Sequence, residues 1–329
     1  DADYVASGNI VASVHPDHDV RLESEAAARR ALGARASFVT PSQMRARGIP
    51  SAFRCGLLQE PGGTLDPGAY VRGLADAARR AGVRVFEGTD VTHIAYGKPV
   101  RAETRGGHVA ADQMVIAANA YTPGLGLLPR AVIPLRVCCI ETEPLSPDER
   151  EAIGWRGGEG VSTTHAIPES YRWTPRGGIA AGTRSVRYAR GSALSTADDA
   201  RQLAVLEGAL RARLPMLAST RIHARWGGWI ALTTDNLPRL GTTGPHGNVF
   251  YALGYSGHGV AQATLLGAML AARMRGRPHE LAAPFERKAW NWPVEPLRWI
   301  GAGAVLSVLM YLDRRLDRSI AALETPAAR

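Results

Sequence analysis

Lysine is nearly missing. Lys98 and Lys288 are the only two among 39 basic residues, so the formal charge of +9 is an arginine charge. The arginines are scattered through Ala- and Gly-rich stretches, with no dense basic block interleaved with aromatics. That lacks the usual footprint of a nucleic-acid binder, and no nucleic-acid partner is expected. Cysteine is scarce as well. Cys55, Cys138 and Cys139 make an odd number without regular spacing, which argues against a disulfide framework. Cys138 and Cys139 lie in the apolar run VIPLRVCCIET. On a strand they point to opposite faces, as small buried hydrophobes rather than a redox pair. No zinc or iron ligand spacing appears, so no metal is expected. Neither a P-loop nor a complete G-x-G-x-x-G occurs. The longest charge-free run in the C-terminal part, Trp299 to Leu312, is shorter than the ~20 residues a membrane span needs.

What is present is a chain of 329 residues with 45% apolar and 21% charged content. That length predicts two domains of a globular protein. The chain opens at Asp1 inside a strand-like pattern, DYVASGNIVASV, with no signal peptide or helix cap ahead of it. An excerpt from a longer chain is expected.

Residues 1–15 read as a Gly-broken pair of strands, and helices are expected near 23–32 and 43–47. In TLDPGAYVRGLADAARRAGVRVFEG, Asp66 caps a helix that starts at Pro67. Tyr70, Val71, Leu74, Ala77, Ala78 and Ala81 form its apolar stripe. Gly82 ends it, and VRVFEG and VTHIAY read as strands. A hairpin follows around Gly106-Gly107, then a buried strand Met114 to Ala117. Strands are expected over 132–143, on both sides of the Gly177-Gly178 turn, over 221–233 and over 249–253. Leu203, Leu206, Leu210 and Leu214 give a helix over 196–214, and a last helix runs from Gly259 to Met274. The fold class expected is α/β, α+β overall. Segments 67–119 and 236–285 form one domain, 1–66 and 120–235 a strand-rich second one, and 286–329 a C-terminal tail.

Three motifs stand out. In NVFYALGYSGHGVAQATLLGAML a buried strand passes through a glycine turn into a helix. Such a corner presents free N–H groups and the positive end of a helix dipole, suited to an anion or an electron-rich carbonyl. Gly257-His258-Gly259 is not completed to a fingerprint, because Gln262 stands at the third position. WGGWIALTTDNLPRLG ends in a turn where Asp235 can close an Asx-turn and Pro238 stiffens the exit. In MVIAANAYTPGL, small residues at a strand's carboxyl end leave room for a ligand.

Taken in order, SGNIVAS, VTHI, VIAANAYT, CCIETEPL, TTDNLPRLG and GYSGHGVAQA resemble the FAD-dependent glycine/D-amino acid oxidase superfamily. The likeness extends to about Phe285 and is strongest to amine oxidases of the γ-glutamylputrescine oxidase type, with sarcosine oxidases as relatives. It implies an FAD-binding α/β domain interleaved with an antiparallel-sheet substrate domain. Val91 matches the strand position beside the adenine. Ala117, Ala118 and Asn119 match the turn near the phosphates and ribose, and Asp235 and Pro238 the turn leading back to the flavin. Gly254, Tyr255, Ser256, Gly257, His258, Gly259 and Val260 match the loop and helix start under the isoalloxazine ring. Amides there would stabilise the reduced ring, with help from a protonated His258. The family's opening strand, G-x-G-x-x-G helix and ribose acid have no counterpart in this sequence, an N-terminal truncation relative to the pattern; residues 1–329 alone are therefore expected to bind FAD poorly, and the function is read as that of the parent chain. No cysteine lies where some relatives attach the flavin, so FAD is expected to be noncovalent.

The implied reaction is hydride transfer from an amine-bearing carbon to flavin N5, imine hydrolysis and reoxidation by O2. Trp226, Tyr171, Arg172 and His165 are the substrate-facing candidates, with His258, Trp226 and Arg172 assigned to catalysis. Arg172 could pair with a substrate carboxylate. A small amine or amino acid is the expected partner and the cytoplasm the expected location. The tail, with Trp290, Trp292, Trp299 and Arg314-Arg315, first suggests packing on its own protein or a second subunit through 299–320. A weak contact with a membrane surface, making the protein membrane-peripheral, is the second expectation. The tail motivates a rival function: a membrane-associated FAD dehydrogenase with a quinone or protein acceptor. A cofactor-free remnant or binding module is the third reading.

Overall fold

Three β-sheets and seven α-helices form among residues 1–190, 194–197, 199–277 and 279–324, which a computed structural model describes. First come β1 (Asn9–Ala12), α1 (Asp19–Ala31), β2 (Ala36–Val39), α2 (Pro41–Ala46) and β3 (Gly56–Gln59). α3 (Pro67–Arg80) starts as its residues predict, with Asp66 Oδ1 accepting the Ala69 N–H at 2.9 Å and Pro67 in the first turn. β4 (Val91–Ala95), β5 (Val100–Thr104), β6 (Gly107–Ala111) and β7 (Met114–Ile116) follow. Next are β8 (Ile133–Thr142), α4 (Pro147–Ile153), β9 (Gly160–Thr163), β10 (Glu169–Trp173), β11 (Ile179–Thr183) and β12 (Arg187–Tyr188). The chain continues with α5 (Asp199–Arg213), β13 (Ile222–Leu232), β14 (Arg239–Thr243) and β15 (Val249–Leu253). It closes with α6 (Gly259–Met274) and α7 (Leu297–Glu324).

The largest sheet has the order β12-β8-β11-β10-β9-β1-β3-β2, with β13 added on β8. Its longest ladder is antiparallel, β13 on β8 from Ile222↔Thr142 to Leu232↔Ile133. One face of this sheet carries the main core. Leu206 and Leu210 of α5, with Leu214 just past its end, are buried against Ile140, Val161, Tyr171 and Ile179. A second sheet, β14-β15-β7, pairs β15 with β7 in parallel and packs α6 through Leu240, Phe250, Leu266 and Met269. The third is the meander β4-β5-β6.

Three expectations are corrected. Residues 83–88 form no strand; Val83, Val85 and Phe86 are exposed, because no described strand offers them a ladder partner. No side chain of α3 is fully buried; Val71 and Leu74 of its apolar stripe are exposed, and Tyr70 of that stripe is half-buried. Residues 1–15 hold one strand, β1, plus a single bridge between Val5 and Thr64.

Arg136 on β8 holds the start of α5, its guanidinium forking onto both carboxylate oxygens of Asp199. Those hydrogen bonds, against a smaller desolvation, hold the Asp199 carboxyl below its ordinary 3.8. A depressed folded pKa means stability that is present above the ordinary carboxylate range and lost as pH falls through the folded value. Asp199→Asn is therefore expected to cost about 1–2 kcal/mol at neutral pH. The gap from the parent protein should narrow below pH 3.8, read from urea midpoints across the acid range.

Candidate functional site

The parallel pair β7–β15 brings two of the glycine- and alanine-rich turns to one corner. β7 ends at Ile116 and β15 at Leu253, and both chains then leave the carboxyl end of the sheet. There Asn119, at φ +43°, accepts the Gly254 N–H on Oδ1 at 3.0 Å. The end of β13 closes the corner, with Ser256 N–H donating to the Ala231 carbonyl at 3.0 Å. Gly254 is required here: φ is +82°, and a Cβ would stand 2.3 Å from Thr233 Cγ2. Gly257, at φ +93°, faces open space.

α6 begins at this corner. His258 is its N-cap and makes no side-chain cap, and the Gln262 N–H bonds the His258 carbonyl at 3.2 Å. Helix geometry leaves the amides of Gly259, Val260 and Ala261 ahead of that bond without intrahelical partners. Val260, Ala261 and Thr264 form one wall of a cavity of about 730 Å³. Opposite stands the large sheet, contributing Ser162, Ser170, Arg172, Gly182 and Trp226. α3 and the loop before it supply Tyr70 and Thr64 to the side. Tyr70 Oη and Thr264 Oγ1 lie 2.8 Å apart, tying α3 to α6 across the rim.

Period-two alternation decides which candidates reach the cavity. On β10, Ser170, Tyr171 and Arg172 all border it, but the Tyr171 side chain is buried in the main core, its ring 5.7 Å from that of Phe53. The Tyr171 hydroxyl donates to Glu169 at 2.8 Å, and burial, with the Glu169 charge beside it, pushes its pKa well above 10. The expectation of a substrate-facing Tyr171 is thus overturned. His165 is overturned too: its side chain is buried between Thr163 Oγ1 (2.7 Å) and Asp317 of α7 (3.1 Å). Trp226, paired with Cys139 across β8, is half exposed on the cavity wall. Burial raises all three thiols, Cys55 to about 12, which disfavours thiolate chemistry.

Of the loop 254–260, Val260 lines the cavity, while Gly254 is buried in the turn. Tyr255 packs against the Leu240, Phe250 and Leu266 cluster, and His258 is exposed. Ala117 and Ala118 precede the Asn119 turn. Val91 begins β4. Asp235 closes the expected Asx-turn on the Leu237 N–H at 3.2 Å, but its carboxylate pairs with Arg287, which also bonds the Pro238 carbonyl at 2.9 Å. Those hydrogen bonds, against desolvation, hold the Asp235 pKa low. Tyr70, Thr264 and Thr64 escaped sequence reasoning. Tyr70 sits in the α3 stripe, where spacing gives it the appearance of core.

His165, Glu169 and Asp317 offer ligand atoms within 4.8 Å of one another. Arg184 occupies the middle of that cluster, bonding Glu169 at 3.1 Å and also Asp317, so a guanidinium is the cation there.

The residues at the start of α6 fit the ring end of a flavin: unpaired amides, an open glycine and an adjoining cavity meet at one helix N-terminus. The phosphate-binding G-x-G-x-x-G is not among the 329 residues. The family model described as DAO, FAD dependent oxidoreductase, matches residues 1–273. The chain is 32% identical over 225 residues to gamma-glutamylputrescine oxidoreductase of Escherichia coli (strain K12), covering 67% of this chain and 50% of that protein. It is 26% identical over 235 residues to D-amino-acid oxidase of Bradyrhizobium diazoefficiens, covering 70% of this chain and 53% of that one. The chain thus spans about half the length of these curated relatives. The crystal structure of glycine oxidase from Geobacillus kaustophilus shares the fold, with a TM-score of 0.74 at 20% identity over 88% of this chain and 76% of that one.

Proposed function

The chain belongs to the FAD dependent oxidoreductase (DAO) family, and on that premise we propose that it oxidises the carbon–nitrogen bond of a small amine or amino acid. The observation that carries the reading is the cavity shared by the α6 N-terminus and the Arg172–Trp226 wall. FAD, when bound, would supply the two-electron acceptor, with O2 as its reoxidant and water as the nucleophile that hydrolyses the imine product. The chain's own part is positioning. Amides of Gly257, Gly259 and Val260 would hold the ring through the helix dipole, the His258 N–H being taken by the Tyr255 carbonyl at 2.8 Å, and Gly254, Tyr255, Ser256 and His258 shape that loop. Ala117, Ala118, Asn119 and Val91 would hold the rest of the cofactor, with Asp235 and Pro238 fixing the return of the chain. Cys139 reaches the cavity, but burial keeps it a thiol, in line with a noncovalent flavin. Segments 67–119 and 236–285 form the cofactor side and 1–66 with 120–235 the substrate side. A cytoplasmic location is part of this reading, in line with three free cysteines.

Arg172 anchors a substrate carboxylate and Trp226 covers its apolar part. Arg172→Met is expected to raise KM about 10–100-fold for amino acids, the loss of a charge-assisted hydrogen bond. Amines without a carboxylate should be unaffected. An equal effect on both substrate types would remove Arg172 from this role. The function is tested by oxygen uptake and H2O2 release across amines and amino acids. The exposed outer side of α7 favours a second reading, a dehydrogenase with a quinone or protein acceptor. Dye reduction without H2O2 release would select it.

A further inference from the structure

We propose that the outward side of α7 docks on an anionic lipid surface. This goes beyond the oxidation reading and does not depend on it. Residues 297–324 lie outside the matched family region, 1–273.

The inner side of α7 is fastened to the large sheet. Asp313 accepts the Ala166 and Ile167 N–H groups at 2.8 and 2.9 Å, and Asp317 bonds His165 and Arg184. Ser319 meets His15 Nε2 at 2.9 Å, and Ala302 and Leu306 pack on Ile133, Leu135 and Tyr188. The opposite side is left uncovered. Leu297 (63%), Ile300 (55%), Val308 (56%) and Tyr311 (53%) are exposed along one stripe at helical spacing. Val305 and Leu312 flank them, and Trp290 and Trp299 stand exposed at the N-terminal end. Arg315 and Arg318 continue the same stripe beyond Tyr311, with exposed Arg314 beside it. At 1.5 Å per residue, Leu297 to Tyr311 is about 21 Å of apolar edge, and the arginines follow it.

Charge selects the occupant. Both acids of residues 297–323, Asp313 and Asp317, are turned inward to backbone amides, His165 and Arg184. Among the described side chains of α7, the outward side therefore carries apolar groups, aromatics and arginines with no acid. A second copy would bring that acid-free surface against itself. Anionic headgroups supply the missing countercharge, while the apolar stripe enters the acyl boundary and the arginines reach up to the phosphates. No helix among the described residues is long and apolar enough to cross a membrane, so α7 lies on the surface.

The test is flotation of the protein with vesicles of phosphatidylcholine alone and of phosphatidylcholine with phosphatidylglycerol. The protein should float with the anionic vesicles, and raising salt should reduce binding. R315Q/R318Q should weaken it about thirtyfold and V308D should abolish it, both with an unchanged melting temperature. Should a variant unfold, salt dependence and preference for anionic over neutral vesicles in the unmodified protein decide the question. Absence of flotation, or equal binding to neutral vesicles, overturns the proposal. So does a dimer in sedimentation velocity that V308D dissociates, because the face then belongs to a second copy.

Discussion

Replacing Arg184 by methionine is expected to cost about 3–5 kcal/mol of folding stability, the penalty for removing one partner from a buried ion cluster. Arg184 is itself buried and contacts three carboxylates: Glu169 at 3.1 Å, Asp313 at 3.5 Å and Asp317. Glu169 and Asp313 are each 1% exposed. Arg213, 3.4 Å from Glu169, remains as partial compensation on one side only. Without the guanidinium, Asp313 retains its amide partners but loses its cation, and α7 loses its strongest attachment to the sheet. Arg184→Lys should recover only part of the loss, since a compact ammonium cannot match the planar spread of the guanidinium's donors toward three separate carboxylates. Urea midpoints of the two variants check this. A loss under about 1 kcal/mol for methionine would mean that water reaches the cluster.

The second large effect is expected at Gly254. Its φ of +82° alone costs a side chain about 1–3 kcal/mol. An added Cβ would also stand 2.3 Å from Thr233 Cγ2 and 3.2 Å from Val132 Cγ1, and overpacking adds about 1–3 kcal/mol. Gly254→Val should therefore lose about 2–6 kcal/mol in total. It should also shift the amide that Asn119 receives at 3.0 Å, disturbing the corner from which α6 starts. Gly257→Ala is the control. It meets nothing within 4 Å, so it should cost only the conformational share, about 1–3 kcal/mol. Thermal unfolding of both variants separates crowding from backbone preference. Equal losses would show that Thr233 and Val132 move aside.

Elements defined by their own residues were legible in the sequence. α6 occupies the expected Gly259–Met274 because the glycine turn and the uninterrupted Ala/Leu run fix both ends. α3 starts at its Asp66–Pro67 cap, and the leucines of α5 face the core as their spacing requires. What depends on partners was not legible. VRVFEG has strand composition, yet a strand exists only where a neighbour completes its hydrogen bonds. Tyr171 and Arg172 are adjacent in sequence and point to opposite sheet faces; which face borders the cavity follows from where α6 lands, a long-range fact. His165 shows the same limit. Its partner is Asp317, 152 positions away. The catalytic and cofactor residues offered from sequence fall into two groups for a similar reason. Arg172, Trp226 and Val260 meet at one cavity, whereas Asp235 is engaged by Arg287 outside it.

The most direct measurement is FAD retention by the protein and by Val260→Trp, after incubation with FAD and gel filtration. Trp would fill the cavity beside the first turn of α6 with no change of backbone conformation. Without a G-x-G-x-x-G segment the unmodified protein should hold FAD weakly, yet it should elute with more flavin absorption than Val260→Trp, whose melting temperature should be unchanged. Flavin taken up equally by both would contradict the placement of the flavin at the start of α6.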